Sequence, residues 1–154
     1  MKIAIVIHHF DAERGGAERF AVELARYAAK EGHEVEVYAA SFGEKVEGVK
    51  LHGVRALGWP RFLYELSFAV SSSGETRKGK HDIVLGINRT FHQDIYAPPG
   101  GVHKSWFEQD LNSIRSPHGR RARLVWRLLS PKQWSIFYIE KMIYRGGGVK
   151  KFVA

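Results

Sequence analysis

Two adjacent glycines, Gly15 and Gly16, stand where an apolar segment gives way to a helical pattern, in the stretch "HHFDAERGGAERF". A helix N-terminus leaves four backbone N–H groups without partners, and no side chain of the usual capping types stands at this junction. Glycine permits a positive φ and the close approach of a ligand, and the helix dipole favours an anion there. The pair is therefore either a phosphate-binding loop or a tight turn, and Glu18 in the first helical turn disfavours a bound anion.

Polar residues also stand at the end of a predicted buried strand, "DIVLGIN". Asn88 closes this stretch, Arg89 follows it, and Asp94 comes five residues later. Because open α/β sheets bind ligands beyond the carboxyl ends of their strands, these residues are candidates for ligand contact, and capping a turn is the alternative for Asp94. His8 and His9 end the first predicted strand, where we expect them to pack or to line a cleft, and they predict no metal site.

The last third of the sequence carries the whole excess of positive charge. Residues 103–154 hold 11 Lys and Arg against 3 Asp and Glu, whereas residues 1–102 hold 13 of each. Three of the four tryptophans also occur there, and this mixture is typical of a helix that lies in a membrane interface. Solvated arginines and an RNA-binding surface are the alternatives, and no recognisable RNA-binding module is present. The residues expected at the membrane are Arg120, Arg121, Arg123, Trp126, Arg127 and Lys132.

The elements that position these groups follow from the apolar pattern. Strands are predicted at "KIAIVIHH", "HEVEVYAAS", "VKLHGVRAL" and "DIVLGIN". One helix follows the glycine pair, with Phe20, Leu24, Tyr27 and Ala28 on its apolar face, and another covers "RFLYELSFAVSSS". The polar stretch "SSSGETRKGKH" is predicted to be a loop. This order of elements predicts an α/β fold, with a Rossmann-like, doubly wound, mostly parallel sheet and helices on both faces.

Two more helices are predicted beyond residue 101, and they separate at Ser130 and Pro131. We expect residues 1–154 to form one domain with a basic aromatic helical segment at 103–145, and the apolar ending "VKKFVA" favours a piece of a longer protein. The absence of cysteine fits a reducing compartment, and no signal peptide or membrane-spanning stretch is recognisable. The second helix is expected to pack onto the sheet through Trp134, Phe137, Tyr138, Met142 and Ile143.

A first strand that ends near "HH", followed by "GGAERF" and "EGHEVEVYA", resembles the opening of family 4 glycosyltransferases. The stretch "GINRTFHQDIYAPPGGVHKSWFEQ" is similar to the corresponding region of members that add glucose to the lipopolysaccharide core. The family has the GT-B architecture, in which two Rossmann-like domains face a cleft, and it moves a sugar from a nucleotide-sugar with retention of configuration. The resemblance implies a donor diphosphate against Gly15 and Gly16, acceptor contacts at Asn88, Arg89 and Arg19, and Asp94 as the catalytic candidate.

The resemblance also implies partners and a location. The nucleotide-sugar would be held mainly by a second domain with a paired-glutamate motif, which these residues lack, so we expect the 154 residues to be inactive alone. The acceptor would be a membrane-associated glycan or lipid such as the lipopolysaccharide core, reached from the cytoplasm by a protein bound peripherally to the inner face of the cell membrane. No metal or other cofactor is expected, and nucleic acid is an unlikely partner. The alternative is a stand-alone α/β module that binds phosphate or RNA without catalysis.

Overall fold

The computed structural model describes residues 1–98, 113, 116–145 and 149–152. The strands are β1 (Lys2–Phe10), β2 (Glu34–Phe42), β3 (Val49–Gly53), β4 (Ile83–Gly86), β5 (Ile95–Tyr96) and β6 (Lys151–Phe152). The helices are α1 (Gly16–Lys30), α2 (Arg61–Lys78), α3 (Pro117–Leu128) and α4 (Pro131–Arg145). The strands form one parallel sheet in the order β3-β2-β1-β4-β5-β6. This arrangement confirms the predicted α/β fold, and the strand order reverses between β1 and β4.

The central strand β1 carries apolar side chains to both faces of the sheet. Successive side chains of a strand point to opposite faces, and all the residues from Ala4 to Ile7 are fully buried. Ile5 and Ile7 belong to the core beneath α1, whereas Ala4 and Val6 pack with Phe68 of α2. The continuous apolar run therefore arises because helices cover both faces, as in other parallel sheets.

Helix α1 turns only part of its predicted apolar face to the sheet, since Ala28 is buried and Leu24 packs against the core. Ala21, Val22, Ala25 and Ala28 are its buried residues, so small side chains let the helix lie close to the strands. The aromatic rings expected in the core are in solvent instead, because their positions on the helix lie outside this buried arc. Phe20 is 52% exposed and Tyr27 is 63% exposed.

Helix α2 continues through the segment predicted to be a loop, since it ends only at Lys78. The hydroxyl groups of Ser72, Ser73 and Thr76 are buried and donate to backbone carbonyl groups in the preceding turn of the helix. A run of polar residues therefore stays helical, because its hydroxyl groups find partners within the helix. The prediction of a loop at this place was wrong.

Helix α4 packs against α2 and the end of the sheet through Ile139 and Ile143, which contact Ala69 and Tyr96. Ile143 was predicted to be in this core, and its burial confirms that part of the prediction. Phe137 is half-buried, whereas three other predicted side chains lie on the other side of the helix, about half a turn away, and are exposed. These exposed residues are Trp134, Tyr138 and Met142.

Near the amino ends of the strands, Glu36 of β2 is a buried carboxylate with partners at both oxygens. Lys2 Nζ lies 3.0 Å from Oε1, Tyr38 Oη donates to Oε2 at 2.8 Å, and His81 Nε2 lies 2.9 Å from Oε2. His52 Nε2 is 3.3 Å from the same oxygen. Burial acts to raise the pKa of Glu36, but the hydrogen bonds from His81, Lys2 and Tyr38 outweigh burial and hold this pKa at about 2.

Candidate functional site

The carboxyl ends of β1 and β4 meet at the point where the strand order reverses, and Asn88 joins them. The His8 backbone N–H donates to Asn88 Oδ1 at 2.7 Å, so this amide side chain fixes the chain after β4 against the end of β1. Asn88 therefore lies at the predicted edge of the sheet. Its carbonyl oxygen is used within the fold, which makes it a positioning group for that edge.

Buried hydroxyl groups of α2 hold the rest of the segment that follows β4. Ser73 Oγ accepts hydrogen bonds from the backbone N–H groups of Phe91 and His92, at 2.8 and 3.2 Å, and lies 2.9 Å from Thr90 Oγ1. Ser72 Oγ donates to Thr90 Oγ1 at 3.0 Å. The polar end of α2 thus fixes the segment that carries Asn88 and Arg89.

Arg89 lies at this edge in an ion pair with Glu140 of α4. Its Nε and one terminal nitrogen donate to Glu140 Oε1 at 3.2 and 3.0 Å, and Glu140 is buried. The pair ties α4 to the edge of the sheet where Arg89 was predicted to meet an acceptor. The guanidinium therefore has a structural partner within the fold.

The glycine pair lies at the start of α1, beyond the carboxyl end of β1. The helix begins at Gly16, and no side chain caps it at Gly15, whose φ of 177° is extended backbone open to any residue. Neither glycine adopts a positive φ, unlike Gly32 and Gly48, so the conformational reason expected for the pair was wrong. A Cβ added at Gly16 would meet nothing within 4 Å, so the fold itself does not require glycine there.

An acidic side chain lies beside this helix start. A Cβ added at Gly15 would lie 2.8 Å from Glu18 Oε2, so the Glu18 carboxylate already stands near the positive end of the helix dipole. Arg19 follows it on an exposed part of the first turn. Gly16 therefore has open space and an exposed arginine in the same helical turn, while the Glu18 carboxylate lies beside the helix start.

A cavity of about 360 Å³ opens at the end of β1, and we call it the carboxyl-edge cavity. Its size falls in the range of small-molecule sites. A neighbouring groove of about 720 Å³ shares two of its lining residues and runs past the ends of β2 and β3. The residues that line the carboxyl-edge cavity are His8, His9, Gly58, Tyr64, Glu65 and Lys132.

Among the residues that the structure describes, three polar atoms of this lining have no hydrogen-bond partner. They are His8 Nε2, Tyr64 Oη and Glu65 Oε2, and almost no solvent reaches them. His8 Nε2 lies 3.8 Å from Glu65 Oε2, which is too long for a hydrogen bond, and the two side chains are only 12% and 14% exposed. Each such group costs about 1–3 kcal/mol when it is left unpaired in a folded protein.

His8 is a neutral imidazole in this setting. Burial, followed by the nearby charges of His9, Arg89 and Lys132, lowers its pKa to about 3. The edge of its ring contacts Tyr64 and Phe68, with centroid distances of 5.2 and 4.3 Å. The ring can therefore accept or donate one hydrogen bond at Nε2, according to its tautomer, without bringing a charge into the cavity.

Asp94 does not lie with Asn88 and Arg89, and the expected placement was wrong. The chain turns back after β4, so Asp94 comes immediately before β5 and level with Val84. Its Oδ2 accepts from the Val84 N–H at 2.9 Å and its Oδ1 lies 2.8 Å from Lys150 Nζ. Burial acts to raise the pKa of Asp94, but these two contacts lower it overall. The carboxylate joins β4 to the chain before β6, so its role is structural, although it bridges strands and does not cap a turn.

The predicted membrane residues divide between two places. Arg121, Arg123 and Trp126 lie on the outside of α3, and Trp126 is 79% exposed. Arg120 and Arg127 belong to the same helix, but their side chains lie outside the part that the structure describes. Lys132 differs from the expectation, because it lines the carboxyl-edge cavity on the other side of the α3–α4 junction.

Within the described residues, no group of three or more His, Asp or Glu side chains is arranged to hold a metal ion. No helix in the described part of the chain is long and apolar enough to span a bilayer. Residues 103–112, which open the predicted basic segment, lie outside the described residues.

Tyr64 and Glu65 are the cavity residues that sequence reasoning missed. Both stand in "RFLYELSF", which was interpreted as an ordinary apolar helix. The signal was a lone carboxylate within an apolar stretch that directly precedes the buried Phe68. The sequence pattern alone does not reveal that this helix starts beside the end of β1.

One protein family matches most of this chain. A family model described as Glycosyltransferase Family 4 matches residues 14–153, and no curated protein matches the sequence significantly. The fold is similar to the crystal structure of WaaG, a glycosyltransferase involved in lipopolysaccharide biosynthesis, with a TM-score of 0.75 and 18% identity. The match covers 97% of this chain, and this chain spans 37% of the length of WaaG.

Proposed function

The chain belongs to glycosyltransferase family 4, and on that premise we propose that it forms the acceptor-side domain of a sugar transferase with two domains. The reaction moves a sugar from a nucleotide-sugar to a glycan or lipid acceptor, such as the lipopolysaccharide core, with retention of configuration. The observation that carries this proposal is the uncapped start of α1 at Gly16, which lies in open space at the edge of the sheet where such folds bind ligands.

The donor diphosphate contacts the first turn of α1 in this proposal. Free N–H groups and the helix dipole attract the phosphates, and the absence of a Cβ at Gly16 lets them approach the backbone. Glu18 turns toward solvent when the donor arrives, while Arg19 remains beside the phosphates. Because the chain spans 37% of WaaG, we assign most contacts with the nucleotide to residues outside these 154.

The acceptor lies at the carboxyl ends of β1 and β4 in this proposal. Asn88 and Arg89 shape that edge through their bonds to His8 and Glu140, so they position the acceptor site instead of reacting. Asp94 holds the amino ends of neighbouring strands and has no catalytic part in the proposed reaction. The reaction we propose uses no metal or other cofactor, and the N–H groups and dipole at the start of α1 stabilise the charge on the leaving nucleotide diphosphate.

The outer face of α3 binds an anionic membrane surface in the proposed function. Each basic residue near such a surface contributes roughly 1 kcal/mol, and tryptophan settles at the depth of the headgroups. Arg123, three residues before Trp126, supplies charge on the same side of the helix, and Arg121 is exposed elsewhere on α3. Leu129 is 73% exposed at the end of the helix. This contact would place the protein peripherally at the cytoplasmic face of the membrane, where a lipid-linked acceptor is within reach.

The glycine loop gives the sharpest test of the proposed transfer reaction. In the full-length protein, Gly16→Val should lower sugar transfer at least about tenfold, because its side chain fills the space that a phosphate needs. The matched control is Gly74→Val, since a Cβ added at Gly74 of α2 also meets nothing within 4 Å. Equal transfer by both variants, with unchanged thermal midpoints, would contradict the phosphate contact.

Vesicle flotation tests the membrane contact separately. Arg121→Gln with Arg123→Gln should weaken the binding of the chain to vesicles that contain phosphatidylglycerol and leave its far-UV circular dichroism unchanged. Binding should also fall as salt rises, because the Debye length is only about 8 Å at physiological ionic strength. Glu31→Gln on another face serves as the charge-changing control. Equal binding to neutral and anionic vesicles, or no binding to either, would contradict the proposal.

A further inference from the structure

We propose that the carboxyl-edge cavity binds the hydroxyl groups of a neutral sugar ring, with Glu65, Tyr64 and His8 as its recognition groups. This inference rests on the proposed function, because it names the chemistry of the acceptor that the domain receives. The three residues have unpartnered atoms around one cavity of about 360 Å³. A ligand that supplies the missing hydrogen bonds removes a cost that the empty site bears.

The types of the three groups select hydroxyls over other ligands. A carboxylate only accepts hydrogen bonds, a phenol both donates and accepts, and a neutral imidazole does one or the other at Nε2. A sugar hydroxyl can donate to Glu65 while it accepts from Tyr64, so one ring with several hydroxyls can satisfy the whole set. The Glu65 and Tyr64 side chains must rotate to reach such a ligand, because almost no solvent touches their unpartnered atoms.

The charge around the cavity disfavours an anion at the same position. Glu65 repels a phosphate, whereas Lys132 attracts one, and His8 stays uncharged because its pKa is lowered to about 3. One of the unpartnered atoms is a carboxylate oxygen of Glu65, and His8 Nε2 lies 3.8 Å from it. A neutral ligand that donates hydrogen bonds therefore fits these atoms, and a phosphate fits only the lysine.

The mouth of the cavity adds an aromatic surface. Gly58 lines the cavity and Leu57 lines the neighbouring groove, while the next residue, Trp59, is 85% exposed. An exposed indole ring beside a polar cavity offers an apolar face to the C–H bonds of a sugar ring. Aromatic contact and unpaired hydrogen-bonding groups together match the two kinds of surface that a sugar has.

A nuclear magnetic resonance titration of the 154-residue chain tests the inference without measuring transfer. The probes are methyl α-D-glucopyranoside and inorganic phosphate, and the signals observed are the rings of His8 and Tyr64. We expect the sugar to move both sets of signals saturably, and phosphate to leave them in place. Glu65→Gln should weaken sugar binding about tenfold, because a hydrogen bond to a charged group is lost.

Matched variants make the titration specific. Glu75→Gln changes the same residue type on the exposed side of α2, where Glu75 pairs with Lys78, and should leave sugar binding unchanged. Tyr64→Phe removes only the hydroxyl group and should weaken binding several-fold, so a result remains if Glu65→Gln folds poorly. The inference is overturned if the sugar moves neither ring, if both Glu65→Gln and Tyr64→Phe bind it as tightly as the unaltered chain, or if phosphate moves the rings and Lys132→Gln abolishes that effect.

The outcome is separable from that of the proposed function. Sugar binding at the cavity together with full transfer by Gly16→Val would support the cavity and contradict the donor contact. Loss of transfer in Gly16→Val together with no sugar binding at His8 and Tyr64 would support the donor contact and contradict the cavity. The two experiments therefore test the donor contact at Gly16 and the sugar cavity independently.

Discussion

Glu36 and Glu65 are both enclosed carboxylates, and their surroundings differ in one respect. Both oxygens of Glu36 have partners, with Lys2 at one and Tyr38 and His81 at the other. Glu65 has an oxygen without any partner, beside an imidazole and a phenol in the same condition. Folding alone does not explain why a protein keeps the second arrangement, because an unpaired buried group opposes stability.

The difference separates polar groups that build the fold from polar groups that serve a ligand. The Glu36 cluster joins the amino ends of β1 and β2 to the chain before β4 and is complete without a ligand. The Glu65 group lies at the opposite ends of the strands, where open sheets of this class bind their ligands. Both side chains are largely buried, at 6% and 14% exposure, but only Glu36 pairs with a lysine ammonium and has hydrogen bonds at both oxygens.

Removal of the charge at Glu36 should have the largest effect on stability. Glu36→Gln leaves the ammonium of Lys2 and the ring of His81 facing a neutral group, and we expect the free energy of unfolding to fall by about 3 kcal/mol. Urea denaturation of the chain measures this fall in the free energy of unfolding. Glu34→Gln is the control on the same strand, because Glu34 forms an exposed pair with Lys50, and it should unfold as the unaltered chain does. An unchanged urea midpoint for Glu36→Gln would show that the partners of Glu36 do not stabilise the fold.

The same carboxylate should set the acid stability of the chain. The pKa of Glu36 is about 2 in the folded protein and about 4.5 in the unfolded chain, so its contribution is complete above pH 4.5 and is lost as the pH falls toward 2. The loss over this window should reach about 3 kcal/mol at most. Acid titrations of stability should therefore be shallower for Glu36→Gln than for the unaltered chain. Equal slopes would contradict the assignment of a low pKa.

The Arg89–Glu140 pair tests whether a buried carboxylate at the carboxyl edge also needs its partner for stability. Arg89→Met leaves a buried carboxylate on α4 and should lower the free energy of unfolding by about 2 kcal/mol. The double change Arg89→Met with Glu140→Met should recover most of that loss, since it removes the buried charge of Glu140 as well. Additive losses in the double variant would show that the pair is not coupled.

Glu65→Gln should have the smallest effect and the opposite sign. Because Glu65 already lacks a partner at one oxygen, loss of its charge should leave the free energy of unfolding unchanged or raise it by up to about 1 kcal/mol. Urea denaturation beside Glu36→Gln compares the two carboxylates directly. A loss as large as that of Glu36→Gln would mean that Glu65 is a structural residue.

The sequence predicts the fold more fully than the site. Apolar runs reveal β1, β2 and β4 because both of their faces are covered, and the glycine pair marks the start of α1. The two-residue strand β5 has too few residues for a pattern, and the buried serines of α2 look like a loop because their hydroxyl partners are invisible in a sequence. Asp94 was misplaced because the short return from β4 to β5 carries it to the opposite end of the strands.

The cavity itself depends on contacts that no local pattern contains. His8 and Glu65 are 57 residues apart in the chain. They meet only because α2 begins at the edge of the sheet where β1 ends. Local spacing predicts which residues share a helix face. Even so, the predicted apolar face of α1 included the bulky Phe20 and Tyr27, which are exposed. Small residues set that face, since close approach to the sheet matters more than side-chain size.

A crystal structure of the 154-residue chain grown with methyl α-D-glucopyranoside tests the central claim most directly. We expect the sugar in the carboxyl-edge cavity, with one hydroxyl oxygen within hydrogen-bond distance of a Glu65 carboxylate oxygen and another near Tyr64 Oη or His8 Nε2. The Glu36 cluster should keep its present bonds. A sugar bound elsewhere, or a cavity in which Glu65, Tyr64 and His8 bond only to one another, would contradict the claim that these groups await a ligand.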